Sequence, residues 1–580
     1  MIHDLNVMVA GQGGDGSLTV VGLLGDALGR RGFRLHESRS VASRVKGGHA
    51  AGYLRAATVE RGGLGDRLDL LVAFDDDAVA QGAPLLREDG YVIHDASDGP
   101  ARRELLPAGA TVLEIPFGRL VVRDLRRDLY KNSLAFGVAS RLVGITDADA
   151  AETLRRSLAR LPSQLVEANV GALERGLAYA DELGIEPWAL ATGDSTGERL
   201  LISGNDAVAL GFLVAGGRFF AGYPITPASE ILERLTAWLP EFGGVAVQAE
   251  DELSAINMAL GAALTGTRAM TASSGPGIAL MQEGVGHLGS AEIGLVIVDC
   301  QRVGPSTGMP TKPEQSDLAM LVHGANGDFP RVVLAPGDPR DAFELAVLAT
   351  NLAERFQGPV YLVLDQMIAQ DAATIDRFDL GAVRVERGKL LGEADLAGLE
   401  EYRRYSLNGD GDGISPWAPV GTPGGQSLIT GNERDEWGRV STQPAVRARM
   451  VEKRARKLQA VLGELPRAHR FGDPQAEVAL LGFGMTTAPM LEAAERLCAE
   501  GLPVQALQPL TLWPVLEDLR RLAAACRRVY VIEHNATAQY AQVLAAAGVP
   551  PGRLESVLRY DGLPFRSGEL VDRVLTREAA

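Results

Sequence analysis

The sequence predicts an α/β protein of several domains built on doubly wound parallel sheets. Three observations lead there. At 580 residues the chain is too long for one hydrophobic core, and about three or four domains is the expected number. Short apolar runs rich in Val, Ile and Leu alternate with longer segments of helical period, the pattern of βαβ units. The runs end in glycine- and proline-bearing turns such as Gly11-Gln-Gly-Gly-Asp-Gly16, Gly222-Tyr-Pro-Ile-Thr-Pro227 and Ser273-Ser-Gly-Pro-Gly277, as tight strand-to-helix crossovers require.

In chain order, a strand over residues 5–10 runs through the Gly11–Gly16 turn into a helix over 17–30. Glu37 follows about 20 residues after the turn, near the end of a second strand, so the segment matches a dinucleotide fingerprint. The same glycines also serve any close crossover. Residues 68–74 and 91–94 read as buried strands, and a helix opens at Lys131-Asn132. The stretch 183–198, with Pro187, Gly193 and Gly197, reads as a linker. A second sheet is expected to begin at Arg199-Leu-Leu-Ile202.

The most informative stretch is Gly222 to Glu314. Two prolines flank Thr226 and present its hydroxyl. A strand over 245–248 leads to Glu250-Asp-Glu252 and a helix whose stripe is expected at Leu253, Ile256, Leu260 and Leu264. A second strand delivers Ser273 to Gly277, and a third delivers Arg302-Val-Gly-Pro-Ser-Thr-Gly-Met-Pro-Thr-Lys312. A carboxylate, a glycine-rich turn and an arginine loop thus meet at one sheet edge, where open α/β sheets bind ligands.

Residues of about 373–440 are less regular. Asn408-Gly-Asp-Gly-Asp-Gly413 is not an EF-hand, because Pro419 occupies the twelfth position where a carboxylate is needed. It reads as a solvated turn. A basic helix over about 442–462 precedes a last α/β domain with strands over 477–482, 504–507 and 529–533. His534 after the last of these is compatible with a catalytic or a hydrogen-bonded structural role.

Composition narrows the function classes. With 46% hydrophobic and 23% charged residues, the chain reads as globular. No apolar run reaches the roughly 18 residues needed to cross a bilayer, and no basic segment precedes an apolar core at the N-terminus. A cytoplasmic location away from membranes is expected. The net charge of -17 argues against nucleic acid as a partner. Three cysteines, Cys300, Cys498 and Cys526, are too few for a four-thiolate cluster, and no metal-ligating set is read in this chain.

Tyr223-Pro-Ile-Thr-Pro227, the Glu-Asp-Glu before an alanine-rich helix, and the Arg302 to Lys312 loop resemble the alpha subunit of 2-oxoacid:ferredoxin oxidoreductases, especially the 2-oxoglutarate type. Nearly the whole chain shares in the likeness. The Gly11–Gly16 turn and Ser43-Arg-Val-Lys-Gly-Gly-His49 resemble the family's gamma domain, where no nicotinamide site occurs. The resemblance implies a gamma-type α/β domain at 1–185, a linker at 186–198 and a doubly wound pyrimidine-binding domain for thiamine diphosphate at 199–372. An irregular connection at 373–470 and a transketolase C-terminal-like domain at 471–580 complete it. Arg44, Lys46 and His49 read as a solvated loop, with a role near the pantetheine or phosphates of coenzyme A as the sharper alternative. Gly431 to Gly438 also resembles a family segment, with Arg434 where histidine is expected.

The resemblance further implies CoA-dependent oxidative decarboxylation of 2-oxoglutarate to succinyl-CoA, with electrons passed to ferredoxin. Breaking the bond between a 2-oxo carbon and its carboxylate needs an electron sink that no side chain offers and a thiazolium does. Glu252 is then the expected activating carboxyl, with Glu250 as the alternative. Tyr223, Pro224, Ile225, Ser274 and Gly275 are expected to line the cofactor. Arg302 would grip the substrate carboxylate in two parallel hydrogen bonds, Thr226 and Thr311 would add hydroxyl donors, and Lys312 would meet a distal carboxylate. A beta subunit is expected to supply Mg2+, the diphosphate grip and a [4Fe-4S] cluster in an (αβ)2 assembly. Pyruvate or broad specificity, a nicotinamide-dependent enzyme using Gly11–Gly16, and a non-catalytic scaffold are the alternatives.

Overall fold

The structure, a computed structural model, describes residues 1–41, 48–125, 130–407 and 411–579. Residues 43–47 of the Ser43–His49 motif, Arg44 and Lys46 included, and residues 408–410 of the Asn408 turn lie outside the described residues. The chain divides into two compact units, one of residues 1–202 with 371–377 and 566–568, the other of the remainder.

The first unit is built on strands β1 (Asp4–Gln12), β2 (Arg34–Val41), β3 (His49–Ala57), β4 (Leu68–Ala73), β5 (Leu86–Asp95), β6 (Thr111–Ile115) and β7 (Arg199–Ser203). β1, β4, β5 and β6 run parallel, and the apolar runs of β1 and β4 and the second half of β5 are largely buried on both faces, with β6 at the edge. The dinucleotide reading loses its geometry here. β3 inserts antiparallel between β1 and β2, so Glu37 is one strand removed from the glycine turn. The turn is braced by protein at Gly13 and Gly16, while its tip at Gln12 to Gly14 is exposed. The Gly13 N–H donates to the Gly48 carbonyl at 2.8 Å, the Asn132 amide presses on Gly16, and the Asp15 carboxylate accepts from the Gln12 N–H at 3.1 Å. His49 Nε2 lies 3.2 Å from the carboxylate of Asp75, which caps the helix Asp76–Gly82.

The second unit contains β8 (Phe219–Gly222), β9 (Val245–Gln248), β10 (Ala269–Ser273), β11 (Leu295–Gln301), β12 (Val332–Leu334) and β13 (Pro359–Asp365). All six are parallel in the order β12-β13-β11-β10-β8-β9. β14 (Ala372–Asp376) returns to the first sheet, pairing antiparallel with β2. β7 lies beyond it at that sheet's edge, which corrects the expectation that Arg199–Ile202 opens the second sheet. β7 has no fully buried residue, as suits an edge and not a central position.

Strands β15 (His469–Gly472), β16 (Val478–Gly482), β17 (Val504–Gln508), β18 (Thr511–Trp513), β19 (Arg528–Glu533) and β20 (Leu554–Leu558) follow. Five of them form a third sheet ordered β15-β17-β16-β19-β20, while β18 adds antiparallel to β12 at the edge of the second. One buried cluster runs without a break from Ala221, Ile256 and Ile297 to Leu481, Val531 and Tyr540. The second and third sheets therefore share a core. Among the described residues no helix is long and apolar enough to cross a membrane.

Candidate active site

The strand order of the second sheet reverses at β8. From β8 the chain crosses to β9 on one side, and from β10 it crosses to β11 on the other. β8 and β10 pair only through Phe219–Phe220 and Ala269–Met270, and a crevice is expected outside the C-terminal ends of the strands at such a reversal.

Glu252 is the first residue of the helix Glu252–Leu264, with Asp251 as N-cap accepting from the Ser254 N–H at 2.6 Å. The carboxyl is only 5% exposed, and its Oε1 accepts from the Ser273 hydroxyl at 3.1 Å. Across from it lies Gly277, where an added Cβ would come 2.3 Å from Glu252 Oε1 and 2.0 Å from Ser273 Oγ. Only glycine leaves room for this carboxyl–hydroxyl pair. Glu250 is exposed. The helix stripe differs from expectation: Ile256 and Leu260 are buried, Leu264 is half-buried, and Leu253 is 45% exposed.

Arg302 emerges from β11 onto the same crevice and is buried. Its Nη1 donates to the carbonyl of Thr226 at 2.7 Å, so the arginine and the proline-framed loop brace each other through the backbone. That loop is held from beneath by Asn205, which donates to the Pro227 carbonyl at 2.7 Å. Arg302 Nε is buried without a partner among the described residues. Burial draws its pKa down, while Asp317 and then Glu252 oppose the shift. Glu252 and Arg302 therefore feel each other's charge across the crevice.

Thr226, Ile225, Thr311 and Lys312 are half-buried, whereas Tyr223 and Pro224 are exposed. Ser274 is buried with its hydroxyl unpaired among the described residues, and Gly275 beside it is buried as well. Lys312 meets the turn of the third-sheet region at Gly562, where a Cβ would lie 3.1 Å from that of Lys312.

Sequence reasoning missed Ser273 as a partner of the glutamate, as well as Asp299, Gln315 and Asp317. Gln315 is fully buried. Its N–H donates to the His534 carbonyl at 2.7 Å, and its Nε2 donates to the Phe483 carbonyl at 2.8 Å and to Asp365 at 3.1 Å. It plugs the ligand-binding edge of the third sheet. His534 accepts from the Phe565 N–H at Nε2, 3.2 Å away. Burial, reinforced by Arg559, pushes the imidazole down to about 3, so it stays neutral and structural. Arg434 is also structural, bonded to Ser290 at 2.7 Å and to the Tyr405 hydroxyl at 3.1 Å. Asp412 of the glycine-rich turn pairs with Lys389 at 2.8 Å.

The arrangement offers a shielded carboxyl, a glycine-lined cradle and a guanidinium aimed at one crevice. Residues 211–453 match the family described as "Pyruvate flavodoxin/ferredoxin oxidoreductase, thiamine diP-bdg", and residues 6–179 match "Pyruvate ferredoxin/flavodoxin oxidoreductase". The 2-oxoacid:ferredoxin oxidoreductase alpha subunit of Saccharolobus solfataricus is 30% identical, over 98% of this chain and 96% of its own. The 2-oxoglutarate synthase subunit KorA of Methanothermobacter thermautotrophicus is 34% identical over 65% of this chain and 98% of its own. Among solved structures, the 2-oxoglutarate:ferredoxin oxidoreductase from Magnetococcus marinus, with 2-oxoglutarate, coenzyme A and succinyl-CoA bound, superposes with a TM-score of 0.93. It is 34% identical and covers 99% of this chain and 100% of that one.

Proposed function

This chain belongs to the family of 2-oxoacid:ferredoxin oxidoreductase alpha subunits, and from that premise we propose that it serves the CoA-dependent oxidative decarboxylation of 2-oxoglutarate. Succinyl-CoA and CO2 are the products, ferredoxin takes the electrons, and the reaction is reversible. The observation that carries the reading is that buried Glu252, bonded to Ser273, and buried Arg302, bonded to the Thr226 carbonyl, stand at neighbouring strand ends of one sheet.

The residues of that crevice fit the pyrimidine end of thiamine diphosphate. Glu252 is shielded at a helix start, Gly277 keeps the space before it open, and Ser274 offers an unpaired hydroxyl. When bound, the cofactor supplies the electron sink that decarboxylation demands. Glu252 would exchange a proton with the cofactor's pyrimidine end, and Ser273 orients its carboxyl by donating to Oε1. Glu250, being exposed, is the weaker candidate. Tyr223, Pro224, Ile225 and Gly275 would complete the cradle.

Arg302 is already fastened through Nη1 to the Thr226 carbonyl. Its Nε has no partner among the described residues and is left to make a charge-assisted bond to the substrate carboxylate, from an arginine positioned beforehand. Thr226 and Thr311 add hydroxyls, and Lys312 meets the distal carboxylate that distinguishes 2-oxoglutarate from pyruvate. A four-thiolate cluster exceeds the three cysteines of this chain. The [4Fe-4S] cluster, Mg2+ and the diphosphate grip are accordingly assigned to a beta subunit in an (αβ)2 assembly working in the cytoplasm.

The test is reduction of a viologen dye by the co-expressed αβ complex with 2-oxoglutarate and coenzyme A. Glu252→Gln is expected to lower kcat by about 100-fold or more with little change in KM. Activity without thiamine diphosphate would overturn the reading, and full rates in Glu252→Gln and Arg302→Ala would leave only a scaffold. Equal kcat/KM for pyruvate would establish broad specificity.

A further inference from the structure

The loop of residues 302–312 is tied to itself at its neck. The Val303 N–H donates to the Lys312 carbonyl at 3.0 Å, the Lys312 N–H to the Met309 carbonyl at 3.1 Å, and the Met309 N–H to the Val303 carbonyl at 3.1 Å. The Gly304 N–H and the Ser316 hydroxyl converge on Glu314 Oε2 at 3.0 and 2.8 Å. The backbone of Lys312 is thereby fixed to the residue after Arg302. A second constraint comes from the turn of residues 559–563, just past β20. Asp561 grips the Arg559 guanidinium at 2.8 and 2.9 Å and accepts from the Leu563 N–H at 3.0 Å, while the Arg559 N–H reaches back to the Glu533 carbonyl at 3.1 Å. So short and closely bonded a turn acts as a wedge. Asp561 and Leu563 are exposed, yet Gly562 between them is buried. It packs on the substrate loop. A Cβ on Gly562 would lie 3.1 Å from Lys312 Cβ, 3.5 Å from its Cγ and 2.9 Å from Met309 Cε. The methionine end can swing aside, but a Cβ moves only with its backbone, and the neck bonds hold that backbone. With φ of 74° at Gly562, space and conformation both select glycine.

We propose that Gly562 is a positioning residue that sets substrate specificity, the turn it tops seating Lys312 at the depth that fits a distal carboxylate. The inference rests on the reading of Lys312 as the group that meets that carboxylate. Arg302 is held independently, through Nη1 on the Thr226 carbonyl at 2.7 Å. A side chain at position 562 therefore moves Lys312 and leaves Arg302 in place. The dicarboxylic substrate then loses affinity, whereas an oxoacid ending in a methyl group makes no use of Lys312 and is unaffected. Relief of the contact takes a few tenths of an ångström. Because a misplacement of about 1 Å costs roughly 100-fold, the expected loss is about fivefold.

The experiment measures KM and kcat for 2-oxoglutarate, and kcat/KM for pyruvate, in the assembled holoenzyme carrying Gly562→Ala, Gly562→Asn, Asp561→Ala or Lys312→Met. Both Gly562 variants add the same Cβ, and asparagine tolerates the left-handed backbone that alanine resists. KM for 2-oxoglutarate is expected to rise about fivefold in both, with kcat at saturation and kcat/KM for pyruvate at wild-type values. A glycine kept for its backbone alone would instead give a lower melting temperature in Gly562→Ala than in Gly562→Asn with KM unmoved in either, and that result overturns the proposal. Equal losses on the two substrates overturn it as well. Asp561→Ala loosens the wedge without adding an atom and is expected to raise KM for 2-oxoglutarate about twofold, so an unchanged KM there overturns the proposal even if the Gly562 variants fail to fold. If Lys312→Met keeps the wild-type preference between the two substrates, the reading of Lys312 fails. If Lys312→Met loses that preference while the Gly562 variants keep it, this inference alone fails.

Discussion

Glu37 shows how a residue that looks like a ligand group can be a structural acid. It sits on β2 facing the helix Ser17–Arg30, so close that a Cβ on Gly25 would lie 2.1 Å from its Oε1. That oxygen has no partner among the described residues. Burial, aided by Asp26, pushes the carboxyl up to about 7. A raised carboxyl pKa means that the folded chain prefers the protonated form. Its contribution is therefore undiminished below the unfolded value near 4.3, and stability is lost as pH rises from there through 7, by up to about 3 kcal/mol. Glu37→Gln is expected to raise the thermal midpoint at pH 8 but not at pH 4.5, with the gap closing between. Equal gains at both pH values would show that ionisation is not the cause.

At the scale of elements, the connection after β14 is fastened to the N-terminal side of the second sheet, away from the crevice. Glu292 and Gln357 both adopt left-handed backbone conformations, with φ of 55° and 54°, just before β11 and β13. Such conformations cost on the order of 1 kcal/mol in a residue with a side chain. Both residues put that geometry to use. Glu292 accepts from Lys453 at 2.6 Å and Lys457 at 3.2 Å on the helix Pro444–Val461. Gln357 donates to the Ser415 carbonyl at 2.7 Å and accepts from Arg404 at 3.1 Å. Burial alone would raise the Glu292 carboxyl, but Lys453, Lys457 and Arg404 overcome it and hold the group well below its usual range. Glu292→Gln strips two buried ammonium groups of their counter-charge, which costs about 3 to 5 kcal/mol. Earlier proteolytic cutting within residues 388–440 is the expected result, and a digestion pattern like the wild type would count against the anchor.

At the scale of the whole molecule, the second and third sheets form one unit because Gln315 and Asp365 occupy the strand ends where the third sheet would otherwise take a ligand. The third sheet thereby braces the loop that carries Arg302, Thr311 and Lys312. Around the crevice the chain leaves apolar groups exposed. Leu253 and Met258 stand out from the first turns of the Glu252 helix at 45% and 43% exposure, on a helix otherwise composed like a core element. Covering the exposed part of each side chain gains about 1 kcal/mol, and the beta subunit implied by relatives named as alpha subunits is the partner to test against them. Leu253→Glu with Met258→Glu is expected to weaken co-purification of the two subunits by about tenfold or more while the isolated alpha chain keeps its melting temperature. Undiminished assembly would place the interface elsewhere.

What the sequence determined by itself was local. Strand ends, glycine turns and the order of Thr226, Glu252, Ser274 and Arg302 along the chain are set by short-range chemistry, and the helices Ser17–Arg30 and Pro444–Val461 lie where periodicity puts them. Tertiary structure decided what depends on partners distant in sequence. β3 between β1 and β2 removed the dinucleotide geometry, β7 and β14 went to the first sheet, and Leu253 turned outward where periodicity placed it in the core. Asp299 and Asp317, some 18 residues apart in the chain, act on each other's charge only because β11 and the loop beyond it fold together beside Gly275. A burial pattern can be read from spacing, because spacing repeats with the backbone. Which buried charges share a site cannot, because Coulomb interaction depends on distance in space and on the water excluded between them.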